Sequence, residues 1–282
     1  MSGRRLDAVR LSTAADEGAD AVVLRVLAAA RGLAERTAAA HGGRLIGVAV
    51  ATPGVIREDG VLLAPNNPGW ETLPLRARVR AAFPGVPVEV INDVRAAALA
   101  EACRGALVGV PVGIFVNLGT GISAAFVIGG TVLEGAHGAA GEIAYQVASS
   151  AEPGFDAGRA PLEQRVSGQG IADRASALLG RPAGTAEAFA AAATDQALRA
   201  VLDDAFEALA VQVANLAVAL DPSRVVLGGG LAARWDGLVP RLSAVLGRVV
   251  PFPPQVCLAA HAGDSALAGA IVAAGHAAIT GG

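Results

Sequence analysis

The chain contains no lysine, so all 22 of its basic residues are arginine. With a net charge of -3 and no run of five or more arginines, it has no basic footprint for nucleic acid. The missing lysine reads as coding bias, not as a phosphate-binding signal. Only two cysteines occur, Cys103 and Cys257, far apart and without a C-x-x-C pair. That excludes a disulfide framework and suits a reduced, cytoplasmic protein. The histidines, His41, His137, His261 and His276, have no metal-ligand spacing. There is no Walker A motif, no G-x-S-x-G and no H-E-x-x-H. The opening "MSGRRLDAVRLS" has no apolar signal-peptide core. Residues 105–133 carry no charge and are long enough to span a bilayer, but they include Asn117, Thr120 and seven glycines. That pattern reads as two buried strands around a Gly-Thr-Gly turn, and no membrane span is expected.

What is present is an α/β pattern. At 282 residues the length suits about two domains. Residues 5–11 alternate like a strand. Helical spacing over 16–41 places Val22, Val23, Val26, Leu27 and Leu33 on one face. A strand within 44–55 runs into a Pro-Gly turn, and a short strand near 61 leads to a loop rich in turn residues. A helix follows at 73–82, then a strand at 86–91 and a helix at 94–104. Three strands fall between 112 and 133, and 148–160 is a loop. The chain is then mostly helical to 220, with Val201, Ala205, Leu209, Val213 and Leu216 as the apolar stripe of the last helix. A strand precedes Gly228-Gly229-Gly230, another helix and strand come next, and an apolar helix closes the chain at 264–279. The expected organisation is a small lobe over 1–104, with the closing helix packing back on it, and a large lobe over 105–263. A cleft between two lobes is the default site.

Five stretches bear chemistry. In "VEVINDVRAAALAE" a strand ends at Asn92-Asp93 and a helix begins. Asp93 is read either as a general base at the carboxyl end of a strand or as a helix N-cap. A cap needs no polar neighbour, so Asn92 favours a ligand-binding pair. Gly119-Thr120-Gly121 is either an anion nest or a plain hairpin turn. Gly228-Gly229-Gly230 fits G-x-G-x-x-A with Ala233. It is not read as a dinucleotide fingerprint, since no acid-ended strand follows about 20 residues on. Glycines there let a base or ribose approach the backbone. Glu142 in "GAHGAAGEIAY" and Glu163 in "APLEQRVSGQG" are acids able to bind sugar hydroxyls, or simply solvated carboxylates.

In order, "GVAVATPGV", "APNNPGW", "INDVRAAALAE", "NLGTGI", "GAHGAAGEIAY", "PLEQRVSGQGI" and "DPSRVVLGGGL" resemble blocks of the ROK family of repressors and sugar kinases, from about residue 4 to the end. The resemblance implies a two-lobed actin/hexokinase-like (RNase H-like) ATPase fold and ATP-dependent phosphorylation of a hexose or N-acetylhexosamine. Asp93 then matches the catalytic base. Asn66, Asn92, Glu142 and Glu163 match sugar-binding residues. Gly119, Thr120 and Gly121 match a phosphate-contacting turn, and Gly228, Gly229 and Gly230 the nucleotide-side glycines. ATP would arrive with Mg2+ and without a dedicated protein cage. The implied partners are a small-molecule sugar and further copies of the chain, with no nucleic acid and no membrane.

Three departures from the family pattern matter. The stretch "FDAGRAPLE" lacks the family's zinc-binding cysteines, and Tyr145 stands where its histidine would be, so no structural zinc is expected. Ser123 and Ala124 replace the glycines after the Gly-Thr-Gly turn. No D-x-G-G-T phosphate motif occurs, and the chain starts where the family's third strand would be. A small lobe lacking its first two strands would leave the strands at 5–11 and 44–50 without neighbours. The expectation is a sugar kinase whose true start lies upstream, or one impaired in phosphate stabilisation. The alternative is a catalytically silent sugar-binding protein related to the family's regulators.

Overall fold

The computed structural model describes residues 5–64, 67–261 and 263–280. The chain divides into two compact units, residues 1–97 with 266–282, and residues 98–265.

The first unit holds helix α1 (Ala19–His41), strands β1 (Val48–Thr52), β2 (Val55–Ile56) and β3 (Val61–Leu62), helix α2 (Leu75–Ala82) and strand β4 (Val88–Asn92). Helix α3 (Asp93–Arg104) starts in this unit and ends in the second. β1 pairs β4 in parallel, with Thr52 opposite Asn92, and β2 pairs β3 as a small hairpin. The core is Val23, Val61, Leu73, Val79, Phe83 and their neighbours. Of the face anticipated on α1, Val22 and Val23 are buried, whereas Val26 is 46% exposed. The strand expected at 5–11 does not form: the segment belongs to no ladder among the described residues, and Leu6 and Val9 are exposed. Alternation makes a segment able to pair, but a strand exists only where another edge meets it. An apolar hollow of about 430 Å³ lies beside β1, walled by Leu33, Val48, Phe83, Leu267 and Ile271.

The second unit is built on a five-stranded sheet. Strands β5 (Val112–Leu118), β6 (Ile122–Ile128) and β7 (Thr131–Val132) form an antiparallel meander. Strands β8 (Arg224–Gly228) and β9 (Gln255–Leu258) then add parallel to β5, giving the order β7-β6-β5-β8-β9. β5 is central, and Ile114, Phe115 and Val116 along it are fully buried. A strand covered on both faces reads as a continuous apolar run, as "VGIFVNL" does. Helices α4 (Pro161–Val166), α5 (Gly168–Leu179), α6 (Thr185–Ala191), α7 (Gln196–Leu220) and α8 (Leu238–Val249) complete the unit. The stripe on α7 buries Ala205, Leu209 and Val213, with Val201 and Leu216 at its margin. α7 is started by Asp195, whose carboxylate accepts from the N–H groups of Ala197 and Leu198.

The closing helix α9 (Ser265–Thr280) returns to the first unit, where a β-carbon at Gly269 would stand 1.6 Å from the Ala96 carbonyl oxygen. No helix among the described residues is long and apolar enough to cross a membrane.

Candidate functional site

At the β4–α3 junction the two polar residues divide the work. The Asn92 side chain is the cap: its Oδ1 accepts from the N–H of Val94 at 3.0 Å and of Arg95 at 3.1 Å. Its Nδ2 donates to the Gly54 carbonyl at 3.1 Å, tying the junction to the Pro-Gly turn after β1. Asn92 is therefore largely committed to the protein, with one amide hydrogen left over. Asp93 is relieved of capping. Its Oδ1 accepts a 2.9 Å bond from the Val94 N–H, and no cation is paired with it among the described residues. Burial raises its carboxyl above the usual Asp range, partly offset by hydrogen bonds from backbone N–H groups. The outcome is a half-buried, more basic carboxylate at a strand's carboxyl end. Asn66 lies outside the described residues.

In the second unit the β5–β6 turn, Gly119-Thr120-Gly121, is pinned to the start of α5. The N–H groups of Gly168 and Gln169 donate to the Gly119 and Thr120 carbonyls at 2.8 and 3.1 Å. With the carbonyls engaged, the N–H groups of Thr120 and Gly121 keep no backbone partner among the described residues. Free backbone N–H groups are what an anion-binding turn requires. Glu163 Oε2 accepts from the Ile122 N–H at 3.2 Å, and a β-carbon on Gly121 would lie 2.5 Å from that oxygen. Glu163 is thus held against the same turn.

The residues that make this possible, Ser167, Gly168 and Gly170, were not singled out from the sequence. Ser167, fully buried, caps α5 by accepting from the Gly170 N–H at 3.0 Å. Gly170 admits the Glu163 and Gln164 carbonyls, which would stand 2.6 and 2.4 Å from any β-carbon there. The signal was the S-G-x-G spacing directly after an acid-bearing helical turn.

Glu142 is carried on Gly141. This glycine, at φ +94°, lies flat on β6, and a β-carbon would meet the Ala124 carbonyl oxygen at 1.9 Å. Three residues on, Tyr145 faces both acids. Burial first, then the charges of Glu142 and Glu163, push its phenol above the ordinary Tyr value. The fold thereby brings Glu163, from the helical turn after the 148–160 loop, to the Glu142–Tyr145 segment that precedes it. The Tyr145 ring meets Phe155 edge-on at 5.4 Å, which fastens the 148–160 loop where the family pattern would carry metal ligands. Among the described residues no group of three or more His, Cys, Asp or Glu is placed to hold a metal ion.

The three glycines after β8 differ in role. A β-carbon at Gly228 would strike the Phe115 ring at 2.3 Å. At Gly229, φ +89°, it would stand 2.2 Å from the Leu118 carbonyl oxygen. Both are packing positions that press β8 onto β5. Gly230 has open space and lines a cavity of about 550 Å³ together with Gly119, Thr120, Gly168, Phe189 and Arg234. This volume is in the range of small-ligand sites.

This two-unit α/β chain sets a strand-end carboxylate in one unit, and a Gly-Thr-Gly turn bordering a ligand-sized cavity in the other. The ROK family model matches residues 12–276, and the chain belongs to the ROK family. It is similar to the bifunctional enzyme NanE/NanK of Brucella melitensis, 37% identical over 80% of this chain and 43% of that protein. The chain therefore spans less than half the length of that curated relative. Its fold matches the ROK hexokinase of Thermus thermophilus at a TM-score of 0.82 and 29% identity, covering 100% of this chain and 94% of that one. It also matches a ROK family glucokinase of Streptomyces griseus, solved with glucose and AMPPNP, at 0.76 and 25%, covering 97% and 93%. The fold is thus actin/hexokinase-like, as the resemblance implied.

Proposed function

We propose that this chain transfers the γ-phosphoryl group of ATP to a hydroxyl of a hexose or N-acetylhexosamine, with Asp93 as general base. The observation that carries the reading is the state of Asp93: Asn92 takes over the capping, burial raises the carboxyl, and a stronger base results. Glu142 and Glu163 hold sugar hydroxyls, joined by Asn66 and by the remaining amide hydrogen of Asn92. The Thr120 and Gly121 N–H groups take phosphate oxygens, and the cavity at Gly230 takes the nucleoside. Family membership and the AMPPNP complex of the Streptomyces griseus glucokinase support this division of labour.

Phosphoryl transfer draws on positioning and charge stabilisation more than on covalent chemistry. Asp93 accepts the proton of the attacking hydroxyl as the sugar oxygen bonds to phosphorus and the bond to the ADP oxygen breaks. Magnesium bound with the nucleotide would offset charge on the phosphates. The 148–160 loop works without structural zinc, which metal analysis of the purified protein would check. The proposed setting is the reducing cytoplasm, in keeping with free Cys103 and Cys257. The proposed assembly is an oligomer of identical chains.

Asp93→Asn tests the reading. Turnover falls by about 10²–10⁴ while sugar binding by calorimetry persists. Unchanged turnover would remove Asp93 from the mechanism. Sugar binding without nucleotide binding in the unaltered chain would instead favour a silent sugar-binding protein related to the family's regulators.

A further inference from the structure

We infer that Phe189 and Arg234 form the base-binding end of the cavity beside Gly230 and give it a preference for purine nucleoside triphosphates. The inference rests on the proposed reading of that cavity as the phosphate-donor site.

The lining of the cavity has two chemically different parts. At the β5–β6 turn it includes Thr120, whose N–H has no backbone partner among the described residues and would suit a phosphate oxygen. Thr185 and Leu231 are tied to that turn through Gly168 and Leu118, and one turn further along each segment the lining adds Phe189 on α6 and Arg234 on the short turn Ala232–Arg234 that follows β8. These two elements are fastened together. The Phe189 ring meets Trp235 edge-on, with centroids 5.4 Å apart and planes at 82°, and Trp235 is buried. The residue beside Arg234 is thus anchored, and the guanidinium is carried on a fixed backbone.

Arg234 also differs from the other arginines around it. Arg165 and Arg174 share Asp204, and Arg241 pairs with Asp203 and covers the Phe206 ring. Arg234 is exposed and has no ion pair or side-chain hydrogen bond among the described residues, yet it lines the cavity. A planar guanidinium and a phenyl ring each stack on the π-face of a base. A purine offers them more surface than a pyrimidine does. Stacking of this kind tolerates either purine, since it reads the face of the base and not its edge.

Calorimetry on the full chain tests the assignment, with AMPPNP, AMP, CTP and inorganic tripolyphosphate as probes. Arg234→Ala and Phe189→Leu are compared with the unaltered chain, and thermal unfolding checks that each variant is folded. Phe189→Leu keeps apolar volume and removes the ring face, and Arg234→Ala changes an exposed position. In the unaltered chain AMPPNP and AMP bind, and CTP binds more weakly than AMPPNP. Each variant weakens AMP and AMPPNP by roughly tenfold, as loss of one stacking partner would. The gap to CTP narrows and tripolyphosphate binding is unchanged. Equal AMP binding by all three proteins would overturn the inference while leaving the donor site intact. Tripolyphosphate weakened as much as AMP in Arg234→Ala would also overturn it, making Arg234 a phosphate contact. An unaltered chain that binds no AMPPNP would overturn both the inference and the donor-site reading beneath it.

Discussion

The two units solve the burial problem differently. In the second unit five strands are covered by long helices, and Ile114, Val116, Leu209, Leu242 and Leu246 are wholly buried. In the first unit a two-stranded parallel sheet has one small cluster against it, while Leu6, Leu45, Ile46, Leu267 and Ile271 remain 39–48% exposed. β1 has β4 as its single ladder partner among the described residues, and an apolar hollow lies beside it. Parallel sheets usually have both faces covered. The comparison teaches that stability resides mainly in the second unit, whereas the proposed base sits at the end of a strand in the weaker one.

The largest expected effect comes from removing the second unit's most deeply placed acidic side chain. Glu101 is fully buried, accepting from the N–H groups of Ala106 at 2.7 Å and His261 at 3.0 Å. Glu101→Ala orphans both donors and costs about 3 kcal/mol or more in denaturant unfolding, at about 1–3 kcal/mol for each. A loss under ~1 kcal/mol would show that the two donors find other partners.

Next comes Gly141→Ala, which puts a β-carbon 1.9 Å from the Ala124 carbonyl at a left-handed φ. It costs about 2 kcal/mol or more and raises KM for the sugar by displacing Glu142. The control is Gly43→Ala in the first unit, also at positive φ but with nothing within 4 Å. It costs only the left-handed strain, about 1–2 kcal/mol. Equal losses would mean that close approach to β6 is not what fixes Gly141.

Hydrogen exchange sharpens the comparison directly. The amides of β1 exchange through smaller openings than those of β5 and β8, which approach the global unfolding limit. Equal protection in both sheets would contradict the assignment of stability to the second unit.

The smallest effect is on Asp93, and its sign is informative. Burial raises the folded-state pKa, so the carboxyl adds stability below its unfolded pKa and loses it as pH rises through the folded value. At pH 7 Asp93→Asn, which keeps an acceptor for the Val94 N–H, therefore unfolds at a slightly higher temperature than the unaltered chain. The gain vanishes as pH falls through the Asp range, where both forms are neutral. A variant less stable at pH 7 would mean that the charge is compensated in the folded state.

Much of the second unit was legible because its signals are local. The α7 stripe, the apolar runs of β5 and β6 and the turn at 119–121 follow from period and composition alone. The first unit was less legible. The 5–11 alternation has no partner edge, and the α1 face is only partly covered because the core behind it is thin. Within the candidate site, residue types and order were readable, but not the assignment of capping to Asn92, the packing role of Gly228 and Gly229, or the Ser167–Gly170 brace under Glu163. Asn92 is set by the Gly54 carbonyl, Gly228 and Gly229 by the Phe115 ring and the Leu118 carbonyl, and Gly170 by the Glu163 and Gln164 carbonyls.

By itself, then, the sequence determined element types, the α/β class, the motif order of the ROK family and which acids are candidates for chemistry. These rest on short-range periodicity, turn preference and chemical type. Only the tertiary structure decided which donor each carboxylate meets, which glycine faces open space and which apolar segment finds an edge. Those outcomes depend on atoms within a few ångströms that lie tens of residues away, as with Glu163 and the Ile122 N–H. No local rule carries that information.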